Sequence, residues 1–320
     1  MLKLIRTFFF VPALLASAFF AAAGHAESYP TKPVTLINFY PAGGVIDIVG
    51  RSAAHDLTEI LGQKVVVKNI SGGVGTIGMA ALARKKPDGY TIGFTTEGNL
   101  NLQPHRRNTP YDFDSFDYIC QLVEFPVVVF ARPDAPFSNL EELAEYAKEN
   151  RIVYGHPGPA SLPHLAMEEF FKKTGITTAR SLPFRSAAPG VAALKSGNVD
   201  LYAAVSSLIN TLGDDGRRQI IAVFDEKRLA KAPNAKTAKE QGFDHSAGIT
   251  FGFVAPKGIP DTAHQKLSSA CEQLSQSPGF VKTLEQQLVR SSYTDGPEFL
   301  DFLKSSSDKN RALIKEILAE

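Results

Sequence analysis

The sequence predicts an α/β protein of two similar halves, joined where the chain crosses between them twice, with a ligand cleft at the junction. Three observations carry this prediction. Short apolar strand-like runs alternate with segments of helical period from Val34 onward. The same alternation restarts at Pro126. A late apolar run, residues 251–255 (FGFVA), then brings the chain back to the first half. In such folds ligands bind where strand C-termini and helix N-termini face each other. The 320 residues leave room for two domains, at ~150 residues each. A composition of 44% hydrophobic and 21% charged residues is globular rather than disordered. A formal charge of +1 excludes a nucleic-acid binder that works by bulk charge.

Residues 1–26 read as an address. Lys3 and Arg6 precede an apolar stretch from Phe8 to Ala23, and Gly24-His25-Ala26 supplies small residues at a cleavage site. This is the anatomy of a secretory signal peptide. A membrane anchor is the competing reading, because the stretch is marginally long enough to span. Removing these residues takes the formal charge from +1 to −1. An exported protein of this kind belongs in a bacterial periplasm, where cytosolic ATP and NAD(P)H are out of reach. Cys120 and Cys271 are free to pair in that compartment, and two buried thiols are the alternative.

The first half opens with a strand at 34–39 (VTLINF), a turn at Pro41-Ala42-Gly43-Gly44, and a helix from Asp47 to Leu61 stopped by Gly62. A strand at 64–68 (KVVVK), a glycine-rich loop at 72–78, a short helix to Ala83 and a strand at 90–95 (YTIGFT) follow. This βαβαβ order predicts a parallel sheet covered by helices. In the second half, 126–131 reads as a strand. Ser138 and Glu141 form a capping box for a helix to about Asn150. Then come a strand at 152–155, a loop at 156–161, and a helix from Leu162 to Thr174 closed by Gly175. Strands near 182–184, 199–205 and 219–224 surround a helix near 188–196. Two helices, near 261–277 and 297–318, end the chain, with 280–288 between them. Residues 27–126 with 252–320 are expected to form one domain, and 127–251 the other.

The candidate site residues cluster at two loops. Tyr40-Pro41-Ala42-Gly43-Gly44 joins a strand to a helix. Glycines there let backbone N–H groups approach a ligand, and the helix N-terminus adds about half a positive charge. That makes an anion site without Lys or Arg; a plain tight turn is the alternative. The loop from His156 to Ser161 has the same character, with Ser161 as either helix cap or ligand donor. Thr95 and Thr96 offer hydroxyls at the end of the third strand, and His164 stands in the first turn after the second loop.

Gly73-Val74-Gly75-Thr76-Ile77-Gly78 matches the dinucleotide pattern GxGxxG. The helix after it is short, the strand before it is not the first, and the compartment lacks the cofactor, so a loop of left-handed residues is preferred. GxSxG, HExxH and P-loop patterns do not occur, so no catalytic role, metal or cofactor is expected. Lys85-Lys86 and Arg106-Arg107 are basic pairs too short for a nucleic-acid footprint.

These blocks together resemble the Bug solute receptors, the extracytoplasmic subunits of tripartite tricarboxylate transporters. The matching strings are Tyr29-Pro30-Thr31-Lys32-Pro33, then Tyr40–Gly44 with Asp47 and Arg51, then Leu61-Gly62-Gln63, the glycine run 72–78 and Pro87-Asp88-Gly89-Tyr90-Thr91. Pro183-Phe184-Arg185-Ser186-Ala187-Ala188-Pro189, Gly197-Asn198-Val199-Asp200 and the run 254–260 (VAPKGIP) follow in the family's order. Phe184-Arg185-Ser186 departs from the family's usual Tyr-Lys-Gly. The resemblance covers the whole chain after residue 26. It implies a type II periplasmic-binding-protein fold, two α/β domains joined by a two-strand hinge, that closes on a small carboxylate. Carried onto this sequence it points to Ala42, Gly43 and Gly44 from one loop and Ala160 and Ser161 from the other. Tyr40, Asp47, Thr95, Thr96, Asn99, His164 and Ser206 are the further candidates. It implies a monomer that delivers a di-, tri- or aromatic carboxylate to integral membrane permease subunits. A sensory receptor for a membrane kinase and an exported enzyme are the other classes kept open.

Overall fold

Apolar β-branched runs punctuated by glycine and proline set the strands, and amphipathic segments between them set the helices. The computed structural model describes residues 29–184 and 187–319; the leader read at 1–26 lies outside them, as do Arg185 and Ser186. The first half runs β1 (Val34–Asn38), α1 (Val45–Leu61), β2 (Val65–Asn69), α2 (Thr76–Ala83), β3 (Thr91–Thr96), and two short helices, α3 (Glu97–Asn101) and α4 (Gln103–Arg106). Next comes β4 (Phe116–Ala131), a strand of 16 residues. The second half adds α5 (Leu140–Tyr146), β5 (Ile152–His156), α6 (Leu162–Thr174), β6 (Ala179–Pro183), α7 (Ala187–Lys195), β7 (Leu201–Val205), α8 (Leu208–Arg218) and β8 (Ile220–Phe224). The chain returns through β9 (Gly248–Pro256) and ends with α9 (Asp261–Ser275), α10 (Pro278–Gln287), β10 (Arg290–Asp295) and α11 (Gly296–Ala319).

The strands form one curled sheet in the order β2-β1-β3-β9-β4-β7-β5-β6, with β10 and β8 also on β4. The strands β1, β2 and β3 are parallel, as the βαβ grammar requires. The returning strand β9 lies antiparallel between β3 and β4. Along β4 the partners change at Pro126: residues before it pair with β9 and β10, and residues after it with β7 and β8. The hinge is therefore the middle of β4 beside the start of β9, where Pro126 faces Gly248.

Both faces of the sheet are covered. Beyond Pro126, Val127 and Val129 point into one core while Val128 and Phe130 point into another, the period-two alternation of a strand buried on both sides. In the first half, α1 and α9 pack on one face and α2 and the start of α11 on the other. Cys120 of β4 and Cys271 of α9 form a disulfide that closes a loop of 151 residues. At Gly78 an added Cβ would sit 2.5 Å from the Ile70 carbonyl, so only glycine lets α2 lie this close to the sheet.

Several expectations shift. The strand read at 126–131 extends back to Phe116. The cap of α5 is Asn139, whose Oδ1 accepts the Glu142 N–H, while the Glu142 carboxylate accepts from the N–H and hydroxyl of Ser138. The capping box read at Ser138 and Glu141 is thus one residue early. The strand expected near 182–184 is β6, which begins at Ala179. Residues 280–288, read as a connection, are mostly helix α10, and β10 after it was not anticipated.

Candidate functional site

A cavity of about 790 Å³ opens between the halves. Its walls come from the starts of α1 and α6, the α3–α4 segment, β7, α8 and the hinge residues Ile249 and Phe251. A helix start presents backbone N–H groups with no carbonyl four residues back. No side chain caps α1 at Gly44 or α6 at Ser161. Two uncapped helix N-termini thus reach one cavity, through Val45 and Ile46 on one side and Ser161 and Leu162 on the other.

The α1 loop is braced by Asp47. Its carboxylate accepts from the Gly43 N–H (3.0 Å), Arg51 Nε (2.8 Å) and Asn69 Nδ2 (2.8 Å). Burial alone would raise its pKa, but these three donors hold it below the usual carboxylate range. Asp47 lies outside the cavity wall, as do the exposed Ala42, Gly43 and Gly44. Tyr40 before the loop and Val45 and Ile46 after it form the wall, while the Gly43 N–H between them is taken by Asp47.

The α6 loop is braced by His164. Its Nδ1 accepts the Ala160 N–H at 3.0 Å, which holds Ala160 at a left-handed φ of 49°. The His164 ring stacks on His156 with centroids 3.8 Å apart, and its Nε2 lies 3.5 Å from Glu168 Oε1. Burial, and then the neighbouring His164, push the His156 pKa down to about 4. His164 therefore turns beneath the loop and does not line the cavity, while Ala160 and Ser161 do.

Four polar atoms in the wall are buried without a protein partner: Ser161 Oγ, Asn99 Oδ1, Gln103 Oε1 and the Tyr202 hydroxyl. Asn99 is 1% exposed and Tyr202 0%. Such groups are costly unless something in the cavity satisfies them. The loop at 72–75 presses on Asn99 from outside; a Cβ on Gly75 would lie 2.7 Å from Asn99 Oδ1. Thr96 lines the cavity and its hydroxyl accepts the Gly98 N–H. Thr95, on the opposite face of β3, donates to Met79 Sδ and stays in the core. Tyr40 lines the cavity beside Phe251, their ring centroids 6.1 Å apart, and burial raises its hydroxyl pKa. Ser206 is buried elsewhere: its hydroxyl donates to the Leu288 carbonyl at 2.5 Å.

The described chain resembles known proteins over nearly its full length. The family described as "Tripartite tricarboxylate transporter family receptor" matches residues 49–318. The chain belongs to that family. A UPF0065 protein of Bordetella pertussis is 31% identical over 309 residues, covering 95% of each chain. A TctC solute-binding protein from Polaromonas is 28% identical with a TM-score of 0.79, over 90% of this chain and 99% of that one. The periplasmic binding protein BugD is 29% identical with a TM-score of 0.70, over 91% and 99%. At lower identity, MatC from Rhodopseudomonas palustris with bound malate (21%, TM-score 0.68) and a second protein of that organism with adipate (24%, TM-score 0.74) share the fold. The architecture of this receptor is thus the two-domain α/β fold of the periplasmic binding proteins.

Sequence reasoning missed two features of the receptor's cavity. Arg106 lines it, as the one formally charged side chain among the described lining residues. In the sequence it is half of an unremarkable basic pair, and only the short turns α3 and α4 bring it to the wall. Tyr202 reaches the wall from the interior of β7, where its type alone signals core.

A second cavity, of about 390 Å³, lies on the other face of the hinge strand. Ile249 and Phe251 face the first cavity, and Gly248 and Thr250 face the second. Its lining is charged: Glu97, Glu124, Glu169, Glu298, Arg290 and Lys309. Arg290 Nη2 bonds the Glu124 carboxylate, and its Nε lies 3.3 Å from Asp225 Oδ2. Lys309 of α11 meets Glu169 of α6 at 2.8 Å. Burial pushes the Glu97 pKa up to about 8; Thr250, its donor at 3.2 Å, pulls it back, and Glu124 pushes it up further. Among the described residues no helix is long and apolar enough to cross a membrane, and no group of His, Cys, Asp and Glu has the arrangement of a metal site.

Proposed function

We propose that this chain is a periplasmic receptor that binds a small organic carboxylate by closure of its two domains, 27–126 with 252–320 and 127–251. It then delivers the acid to ion-gradient-driven membrane subunits. The observation that carries the reading is the convergence of two uncapped helix N-termini with the buried, unpartnered Ser161 hydroxyl on a cavity without a carboxylate in its described lining. Neutral donors and helix dipoles hold an anion by charge-assisted hydrogen bonds and release it when the walls part. Donors come from both halves, so the ligand favours the closed arrangement. The malate and adipate bound by the two Rhodopseudomonas proteins support the ligand class.

The test is a melting-temperature screen of the chain from Glu27 onward, refolded to strip carried-over ligand, against di-, tri-, amino- and aromatic carboxylates. A true ligand at a hundredfold excess over its Kd adds ~2.7 kcal/mol of stability. The shift is expected to shrink in Ser161→Ala. No shift with any carboxylate defeats the reading. Delivery is checked by uptake of the labelled acid into cells, which is expected to need this chain, the membrane subunits and an intact ion gradient.

A further inference from the structure

We propose that His164 is a positioning residue of the cleft: its bare Nδ1 holds the cavity loop in shape, and a proton taken up there loosens the loop and lowers affinity for the bound acid. The proposal rests on the carboxylate reading above and adds a pH dependence to it.

The loop has only three backbone donors. Residues 157–161 (PGPAS) all line the cavity, and Pro157 and Pro159 have no N–H to give. The Ser161 N–H goes to the Gly158 carbonyl at 3.2 Å. The Gly158 N–H meets His156 Nδ1 at 3.3 Å, and the Ala160 N–H meets His164 Nδ1 at 3.0 Å. The two histidines differ in freedom. His156 Nδ1 also lies 2.8 Å from the Gly158 carbonyl, so it bonds the loop in either tautomer. A backbone amide only donates, so His164 Nδ1 must be the bare nitrogen and Nε2 must carry the proton. That proton faces Glu168 Oε1 at 3.5 Å, and the Tyr154 hydroxyl bonds the same carboxylate.

Ala160 is where the bond matters. It is fully buried and sits at a left-handed φ of 49°, a conformation alanine keeps only when its surroundings impose it. A proton on His164 Nδ1 sets two N–H groups against each other in place of the bond. The loop then relaxes and moves Ser161 and the start of α6 with it.

The neighbours direct the proton to His164. His156, stacked on it at 3.8 Å, stays neutral, because burial and then His164 push its pKa down to about 4. Burial would raise the Glu168 carboxyl, but hydrogen bonds from His164 and Tyr154 hold it below its usual range. Glu168 therefore stays an anion and offsets the new charge, which adds little attraction for the bound acid. At Ala160, α3 and α11 contribute the apolar Leu102 and Ile314. Elsewhere on α6, Lys309 is held by Glu169, and His245 Nε2 meets the Ala166 carbonyl. Arg106 and Tyr202 share the cavity wall with the loop.

The experiment follows the refolded protein by NMR, with nitrogen-labelled histidine rings, from about pH 8 to about pH 5, the interval in which histidine changes charge. At the upper end His164 is expected in the Nε2–H tautomer, with the Ala160 amide protected from exchange. As the His164 ring takes its proton, that protection, corrected for the intrinsic rate, is expected to fall at least about tenfold. The amide of Val128, buried in β4, is expected to keep its own. His164→Phe removes the acceptor, and Ala160 is expected to be unprotected throughout. His164→Asn puts an oxygen where Nδ1 stood, an acceptor that takes no proton, and is expected to restore protection across the whole range. Calorimetric titration with malate and adipate reads the consequence for binding. Wild-type affinity is expected to fall by up to about tenfold per pH unit below the ring's titration, beyond the acids' own protonation, and His164→Asn is expected to remove that fall. An Nδ1–H tautomer at the upper end, or Ala160 protection indifferent to pH, overturns the inference. So does a pH dependence shared by wild type and His164→Asn, which assigns the effect to another group such as His245. Failure of both acids to bind at any pH counts against the carboxylate reading, and the Ala160 amide then decides the switch by itself.

Discussion

The two cavities share a strand yet are built from opposite materials. On one face of β9 the wall is apolar surface and neutral donors, with Arg106 at its margin. On the other face it holds four carboxylates, an arginine and a lysine. The difference shows where a receptor of this kind can tolerate formal charge. A buried ion pair is hard to make and hard to break, which suits a fixed contact between moving halves. An anion that must enter and leave is better held by dipoles that never lose their solvation partner entirely. Charge braces the hinge, and in the proposed function dipoles take the ligand.

This contrast can be broken at several points. The largest effect is expected at Glu97, whose pKa is raised to about 8 in the fold against an ordinary value near 4.5. A raised carboxylate pKa means the folded state holds the proton more tightly, so its stability is full below about pH 4.5 and declines as pH rises toward 8. Glu97→Gln is expected to abolish that decline, gaining up to about 4 kcal/mol at about pH 8, as read by denaturant titration across pH. If wild type and variant keep the same pH slope, Glu97 is not the charge that limits the hinge.

Arg290→Met comes next. It leaves Glu124 and Asp225 facing each other with their shared cation gone. Because Arg290 is about one-third exposed, the loss is placed at the lower end for a buried pair, about 3 kcal/mol. Urea unfolding measures it, and the contrast predicts that ligand affinity per folded molecule stays within about threefold of wild type, ~0.7 kcal/mol.

On the neutral face, Ser161→Ala removes a donor without leaving a charge. It is expected to weaken ligand binding about tenfold, the ~1.4 kcal/mol of a charge-assisted hydrogen bond, with the unliganded melting temperature unchanged. A loss of fold stability instead would make Ser161 a structural cap. The smallest effect is expected at Lys309→Met, which opens the pair with Glu169 between α11 and α6. Lys309 is largely exposed, so the change is expected to cost under about 1 kcal/mol and to diminish further in about 0.5 M salt.

Most elements were legible because their signals are local. Gly62 and Gly175 stop α1 and α6, where both adopt left-handed φ as C-caps. What escaped depends on neighbours. Asp117, Gln121 and Glu124 interrupt the apolar pattern of β4, yet each is satisfied by a partner from a distant segment: Lys257, Ser292 and Arg290. The strand β10, RSSYTD, has no apolar face to announce it and exists through pairing with β4. At the site, the two loops were legible from glycine, serine and helix-start grammar. Which atoms face the cavity was not. The Gly43 N–H belongs to Asp47 and the His164 Nδ1 to Ala160, choices made by geometry that spacing does not encode.

The pairing of β3 with β9 has a consequence for assembly. Gly93 finds its partner in Val254, and Cys120 in Cys271, both after the whole of the second half. A chain delivered N-terminus first can finish β5 through β8 on β4 while β3 still presents an open edge. Such edges template wrong pairing between chains, and long-range closures are slow. The strand that closes this edge also divides the two cavities, and the charged wall is finished only afterwards, by Arg290 of β10 and Glu298 and Lys309 of α11.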